Sequence, residues 1–232
     1  MVHQVARYAD AYAVWESWNL TDFEVKCEHL LSLKGSLDNA GSSFAPVVGY
    51  HIEQASVWVS PVHNLVGPTG ETNELYTAGR GVAVIVQDDN SKSAQQSACA
   101  MITAALVAGN SVIVCSDDVV FAQEFEQACL LSSLPTNLVQ FVSYDAYHQL
   151  MEADIRNMAY VGNPTVELSI NRQLASRTGA IVSLVSETDL AALPMANDPS
   201  LALRFVTERT RTINITAVGG NATLLELGNE AH

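Results

Sequence analysis

Apolar residues fall into two regimes along the chain. Over the first 77 positions they recur at helical spacing without strand alternation. One helix is expected to carry Val5, Tyr8, Tyr12, Trp15 and Trp18; Thr21 or Asp22 caps the next, whose apolar face uses Phe23, Cys27, Leu30, Leu31 and Leu37, with Gly35 or Gly41 at its far end. From residue 80 short β-branched runs take over, at 81–86, 111–115, 138–142, 158–161 and 180–185, separated by amphipathic stretches at 94–108, 119–131, 144–151 and 165–176. Asp88 to Ser91 supply turn and N-cap residues after the first run, and Gly109-Asn110 closes the helix that follows.

Five apolar strands alternating with helices predict an α/β fold with a doubly wound, Rossmann-like, mainly parallel sheet. After a helix near 199–208, residues 210–216 and 222–227 read as extended runs joined by a turn at Val218-Gly219-Gly220-Asn221, a C-terminal β-hairpin flap. The expected division is a helical N-terminal segment at 1–77, a Rossmann-like domain at 78–209 and a flap at 210–228. A lone hairpin is marginally stable, and Ile213, Ile215, Leu224 and Leu225 are too apolar to stay uncovered, so Ile213, Asn214, Ile215, Gly219, Gly220, Asn221, Leu224 and Leu225 form the expected interface.

Composition narrows the role. The 232 residues are 48% hydrophobic and 16% charged, with a net charge of −14, and no Lys/Arg cluster is long enough to track a phosphate backbone, which argues against nucleic-acid binding. No apolar run spans a bilayer and the N-terminus, with Asp10 and Glu16, is not patterned as a signal peptide, so a cytoplasmic location is expected. Accordingly the Asn-x-Thr sequons at Asn19, Asn214 and Asn221 read as chance matches. Cys27, Cys99, Cys115 and Cys129 lack CxxC spacing and read as core residues of a reducing compartment. The six histidines show neither i, i+4 pairing nor an HExxH pattern, so no metal site is expected.

Three stretches resemble a known family. Gly67-Pro68-Thr69-Gly70-Glu71-Thr72-Asn73 followed by Gly79-Arg80-Gly81-Val82 resembles the lead-in to the first cofactor-domain strand of aldehyde dehydrogenase-like domains, and residues 104–114 resemble their next helix-to-strand passage. Glu208-Arg209-Thr210 to Asn214, then Gly219-Gly220-Asn221-Ala222-Thr223-Leu224-Leu225 and Gly228, resembles the C-terminal motif of the proline utilisation A family, bifunctional flavoenzymes that oxidise proline to glutamate. The resemblance runs from about residue 67 to 228; the first 66 residues carry no matching motif. It implies a non-catalytic aldehyde-dehydrogenase-like domain that covers the 1-pyrroline-5-carboxylate / glutamate semialdehyde dehydrogenase site and helps to seal the tunnel between active sites. NAD and FAD then belong to the full-length enzyme, the partner is a catalytic aldehyde dehydrogenase domain of the same polypeptide, and this chain is a fragment, as the abrupt helical start also suggests.

The residues agree with an absence of chemistry. An aldehyde dehydrogenase needs a thiolate in a Gly-Gln-x-Cys setting and a Glu base in a Glu-Leu-Gly-Gly run. No cysteine here has that setting, and the Glu run reads Leu184-Val185-Ser186-Glu187-Thr188, with Glu187 as a loop or capping residue. The family's Pro-Trp-Asn turn is Gln87-Asp88-Asp89-Asn90, its ribose-gripping Lys-Pro-Ser-Glu is Cys115-Ser116-Asp117-Asp118, and its Gly-Ser-x-x-x-Gly helix opening survives as Gly162-Asn163-Pro164-Thr165-Val166-Glu167. Lost cations and added carboxylates disfavour a pyrophosphate. The reading is therefore that no catalytic, cofactor-binding or metal residues lie in the chain. The alternatives are an NAD-dependent aldehyde dehydrogenase fragment that still binds NAD at the switch point of its sheet, and a homodimer whose hairpins pair across a two-fold axis.

Overall fold

Buried β-branched runs build the centre of the molecule, seen in a computed structural model that describes residues 2–67 and 71–214. Five parallel strands, β3 (Val82–Gln87), β4 (Ser111–Cys115), β5 (Val139–Val142), β6 (Asn157–Val161) and β7 (Ser183–Glu187), align in the order β5-β4-β3-β6-β7. Every residue of β3, β4 and β6 is buried, as strands covered on both faces require. Side chains alternate between two cores. Ala83, Ile85, Val112, Val114, Ala159 and Val161 face α2 (Phe23–Asn39), α3 (Ala45–Trp58), α4 (Lys92–Val107) and α5 (Val119–Leu131). Val82, Val84, Val86, Ile113, Met158 and Tyr160 face α1 (Val2–Leu20), α6 (Ala146–Leu150) and α7 (Pro164–Ala175). Crossovers on opposite faces make the sheet doubly wound, as expected.

The N-terminal helices do not stand apart from this sheet. Ala11 of α1 belongs to one core and Trp18, near its end, to the other, where the indole Nε1 donates to the carbonyl of Leu106 at 2.9 Å. α4, which reads as amphipathic, is buried on nearly all sides because α2 and α3 roof it; its many alanines allow that close approach. Conversely Val5, Tyr12 and Leu31, placed on apolar faces by spacing, are exposed, and Leu33 is buried instead.

A second sheet departs from the helical reading of residues 1–77. β1 (His63–Leu65), β2 (Glu71–Gly79) and β8 (Val206–Asn214) form an antiparallel arm in the order β1-β2-β8. β2 and β8 pair without a break from Glu71↔Asn214 to Gly79↔Val206. The partner of residues 210–214 is therefore β2; residues 215–216 and the 222–227 run lie outside the described residues. The strand also begins at Val206, so the helix expected near 199–208 is cut to a 3₁₀ turn at Leu201–Phe205.

Where arm and sheet meet, one side chain organises the backbone. Asn110, fully buried, accepts from Arg80 N (2.8 Å), Gly81 N (3.2 Å) and Asn157 Nδ2 (3.1 Å), and donates to the carbonyls of Ala105 and Phe205, both at 3.0 Å. Arg80 completes the junction through Val206 O at 2.6 Å and Ser183 Oγ at 2.8 Å. A Cβ at Gly79 would lie 2.2 Å from the carbonyl oxygen of Gly109, whose φ of +94° itself suits glycine, so the arm's root admits no side chain there.

Candidate functional site

Open α/β sheets place ligands outside the carboxyl ends of their strands where the winding reverses. Here that point lies between β3 and β6, where side chains of the two strands' carboxyl ends bond to one another. Buried Tyr160, on the last turn of β6, donates from its hydroxyl to Asp88 Oδ2 at 2.7 Å, across from β3. Burial, then Asp88 itself, pushes the phenol's pKa up, so it stays a donor. Gly162 follows with φ +150°, and a Cβ on it would come within 2.8 Å of both Asp88 Cβ and the Tyr160 hydroxyl. Tyr144 and Tyr147, near the end of β5, have phenols raised mainly by burial, with Asp88 contributing to each.

The helix N-termini that open toward this end use their amides internally. Ser91 Oγ accepts from Ala94 N at 3.3 Å on α4, Asp118 Oδ1 from Phe121 N at 3.0 Å on α5, and Asn163 Oδ1 from Thr165 N at 2.8 Å on α7. Pro164 removes one more donor from α7. Asp118 Oδ2 also takes Gln95 Nε2 at 2.7 Å and Gln87 Nε2 at 3.4 Å, and Asp117 Oδ1 accepts from Tyr144 N at 3.0 Å. One amide at each helix start is thereby taken, by a hydroxyl on α4, a carboxylate on α5 and an amide oxygen on α7.

The other residues that sequence singles out have structural partners. Cys115 and Cys99 are fully buried with thiol pKa values pushed up, while burial raises Cys129 to about 12 and Cys27 to about 11, so no thiol is activated. Glu187, also buried, accepts from Met195 N at 2.7 Å and Ala196 N at 3.1 Å. The carbonyl of Ala196 meets His51 Nε2 at 3.0 Å; burial lowers that imidazole to about 4, leaving it neutral and able to donate. Glu187 and His51 thus hold Ala196 through its N–H and its C=O and tie the segment that follows β7 to α3. Sequence reasoning did not anticipate this clasp, nor the Tyr160–Asp88 bond, because both join positions far apart in the chain. Among the described residues no three His, Cys, Asp or Glu side chains cluster as metal ligands.

Of the expected interface residues, Ile213 and Asn214 end β8 opposite Thr72 and Glu71, and Ile213 is 46% exposed. Ile215, Gly219, Gly220, Asn221, Leu224 and Leu225 lie outside the described residues. The structure adds β2 and β1 to this surface, with Leu65 and Val66 exposed beside them. Glu74 of β2 accepts from Arg211 Nε of β8 at 2.9 Å, bracing the arm.

No family model matches the chain. It is 27% identical over 164 residues to the bifunctional protein PutA of Salmonella typhimurium, an alignment covering 71% of this chain and 11% of that protein. Proline utilization A from Bradyrhizobium japonicum superposes with a TM-score of 0.70 at 25% identity, over 80% of this chain and 22% of its own. The fold is also that of a 1-pyrroline-5-carboxylate dehydrogenase from Thermus with bound NAD, at TM-score 0.67 and 19% identity, over 81% of this chain and 42% of the other. The chain thus spans a small part of these relatives. By sequence and fold together, it is homologous to an aldehyde-dehydrogenase-superfamily domain of proline utilisation A.

Proposed function

We propose that the chain is a non-catalytic aldehyde-dehydrogenase-like domain of a bifunctional proline catabolic enzyme. In this reading it covers the 1-pyrroline-5-carboxylate / glutamate semialdehyde dehydrogenase site of a catalytic domain in the same cytoplasmic polypeptide and helps to close the channelling tunnel. NAD and FAD are held elsewhere in that polypeptide, and the chain's contribution is exclusion of water and retention of an intermediate. The observation that supports the reading is the carboxyl end of the sheet: Tyr160, Asp88, Asp118 and Glu187, which gather there in a homologue of proline utilisation A, are each engaged in internal hydrogen bonds. The arm, with Ile213 and the 210–228 motif, is the covering surface, toward the catalytic domain or across a homodimer.

Thermal unfolding of the full chain with and without millimolar NAD, beside a glutamate-semialdehyde oxidation assay, tests this. The expected result is an unchanged midpoint and no turnover, since a ligand at 100 times its Kd stabilises by about 2.7 kcal/mol. A rise of several degrees or any turnover would favour an NAD-dependent dehydrogenase fragment instead.

A further inference from the structure

A cavity of about 390 Å³ opens where the α1–α2 turn, the end of α4 and the root of the arm meet, at the amino end of the parallel sheet and so on the opposite side from the switch point. Its lining carries three cations, Lys26, Arg209 and Arg211, against one carboxylate, Asp22, in a chain whose net charge is −14. Lys26 is only 8% exposed, yet its Nζ makes a single long hydrogen bond, to Asn19 O at 3.4 Å, and joins no ion pair among the described residues. That bond sets the ammonium at the carboxyl end of α1, where a cation complements the helix dipole. A role limited to the dipole uses one N–H of three and leaves a buried charge under-solvated, which proteins otherwise avoid. Arg211 is held by Glu74, whereas Arg209 has no ion-pair partner among the described residues. Phe23 and Val59 give the same cavity an apolar wall.

We propose that this cavity binds a small organic carboxylate, whose oxygens accept from Lys26 and Arg209 while its carbon skeleton rests on the apolar wall. A compact ammonium beside a guanidinium fork matches a carboxylate, and a mixed lining of this size suits a metabolite better than a bare inorganic ion. Burial lowers the Lys26 pKa in the empty cavity, and a bound anion would restore it.

The test is a titration of the ¹⁵N-labelled full chain with succinate, and separately with inorganic phosphate, at matched ionic strength. Saturable amide shifts confined to Asn19, Thr21, Ser60 and Thr77 are expected with succinate, with weaker binding of phosphate. Lys26→Met should weaken succinate by about tenfold or more, and Lys34→Met, on the exposed face of α2, should leave it unchanged. Arg209→Ala, on an exposed strand position, supplies a second variant if Lys26→Met fails to fold, with weakening again expected. Absence of saturation, phosphate binding as tightly as succinate, or succinate binding indifferent to the folded variants would overturn the proposal.

Discussion

A single imidazole illustrates how burial converts into pH dependence. His51 is neutral in the folded chain because its pKa falls to about 4 from an ordinary 6.5, desolvation outweighing its bond to Ala196 and the charge of Asp198. The unfolded chain therefore binds the proton first as pH drops. Stability from this group is complete above about pH 6.5, is lost as pH falls toward 4, and changes no further below that. The loss amounts to about 3 kcal/mol at most. Urea unfolding across pH 7 to 4 should show this decline, and His51→Gln should flatten it in that window while lowering stability at pH 7. A slope identical in the two proteins would show that the clasp on Ala196 does not govern the acid response. Such roles were hidden from sequence reasoning: Glu187 and Cys115 read as chemically idle from their neighbours, but that Glu187 anchors Ala196 follows only once a nine-residue loop is folded back.

Among elements, legibility tracked burial. β3, β4 and β6 were plain in the sequence because both faces are covered and the runs are continuously apolar. β2 was missed since Glu71–Gly79 is partly exposed for most of its length, and neither helical nor alternating periodicity marks such a strand. The start of β8 was blurred for a similar reason, since past the buried Val206 its residues 207–213 are partly or largely exposed. That root depends on Asn110. Replacing it with alanine strands Arg80 N, Gly81 N and Asn157 Nδ2 without that acceptor and the Phe205 carbonyl without its donor, while the Ala105 carbonyl keeps the backbone N–H of residue 110. Each buried orphan costs about 1–3 kcal/mol, so Asn110→Ala is expected to lower stability by at least about 3 kcal/mol in denaturant unfolding. Faster hydrogen exchange at Arg80 and Gly81 should accompany it; a loss below about 1 kcal/mol would mean the junction is held by packing alone.

For the whole molecule, the parallel sheet carries internally bonded side chains at the carboxyl end of β3 and β6 and an antiparallel arm at its amino end. The fold class was accessible from the sequence because strand and helix periods alternate regularly. The Tyr160–Asp88 bond was not, since the two residues are 72 positions apart. If, as proposed, the chain is part of a longer proline-oxidising enzyme whose dehydrogenase site the arm covers, deleting residues 206–228 from that enzyme should leave each half-reaction near its normal rate while the intermediate leaks out. A trapping agent in bulk solvent would then intercept it and a lag would appear in NADH formation. Unchanged trapping after the deletion would remove the arm from the channel.

The pairing of β2 with β8 has a consequence for synthesis. Glu74 and Arg211 are 137 positions apart, with the entire parallel sheet encoded between them. At ribosomal speeds of 5–20 residues per second, β2 emerges on the order of ten seconds before its long partner exists. During that wait β1 can pair with only three of its nine residues, on the edge opposite the one β8 will take, and an unpaired strand edge is a template for the wrong neighbour. Nascent chains on one message thus present each other with the same bare ribbon, so slower translation between the two strands would raise the yield of misassembled protein even though the finished fold is unaltered.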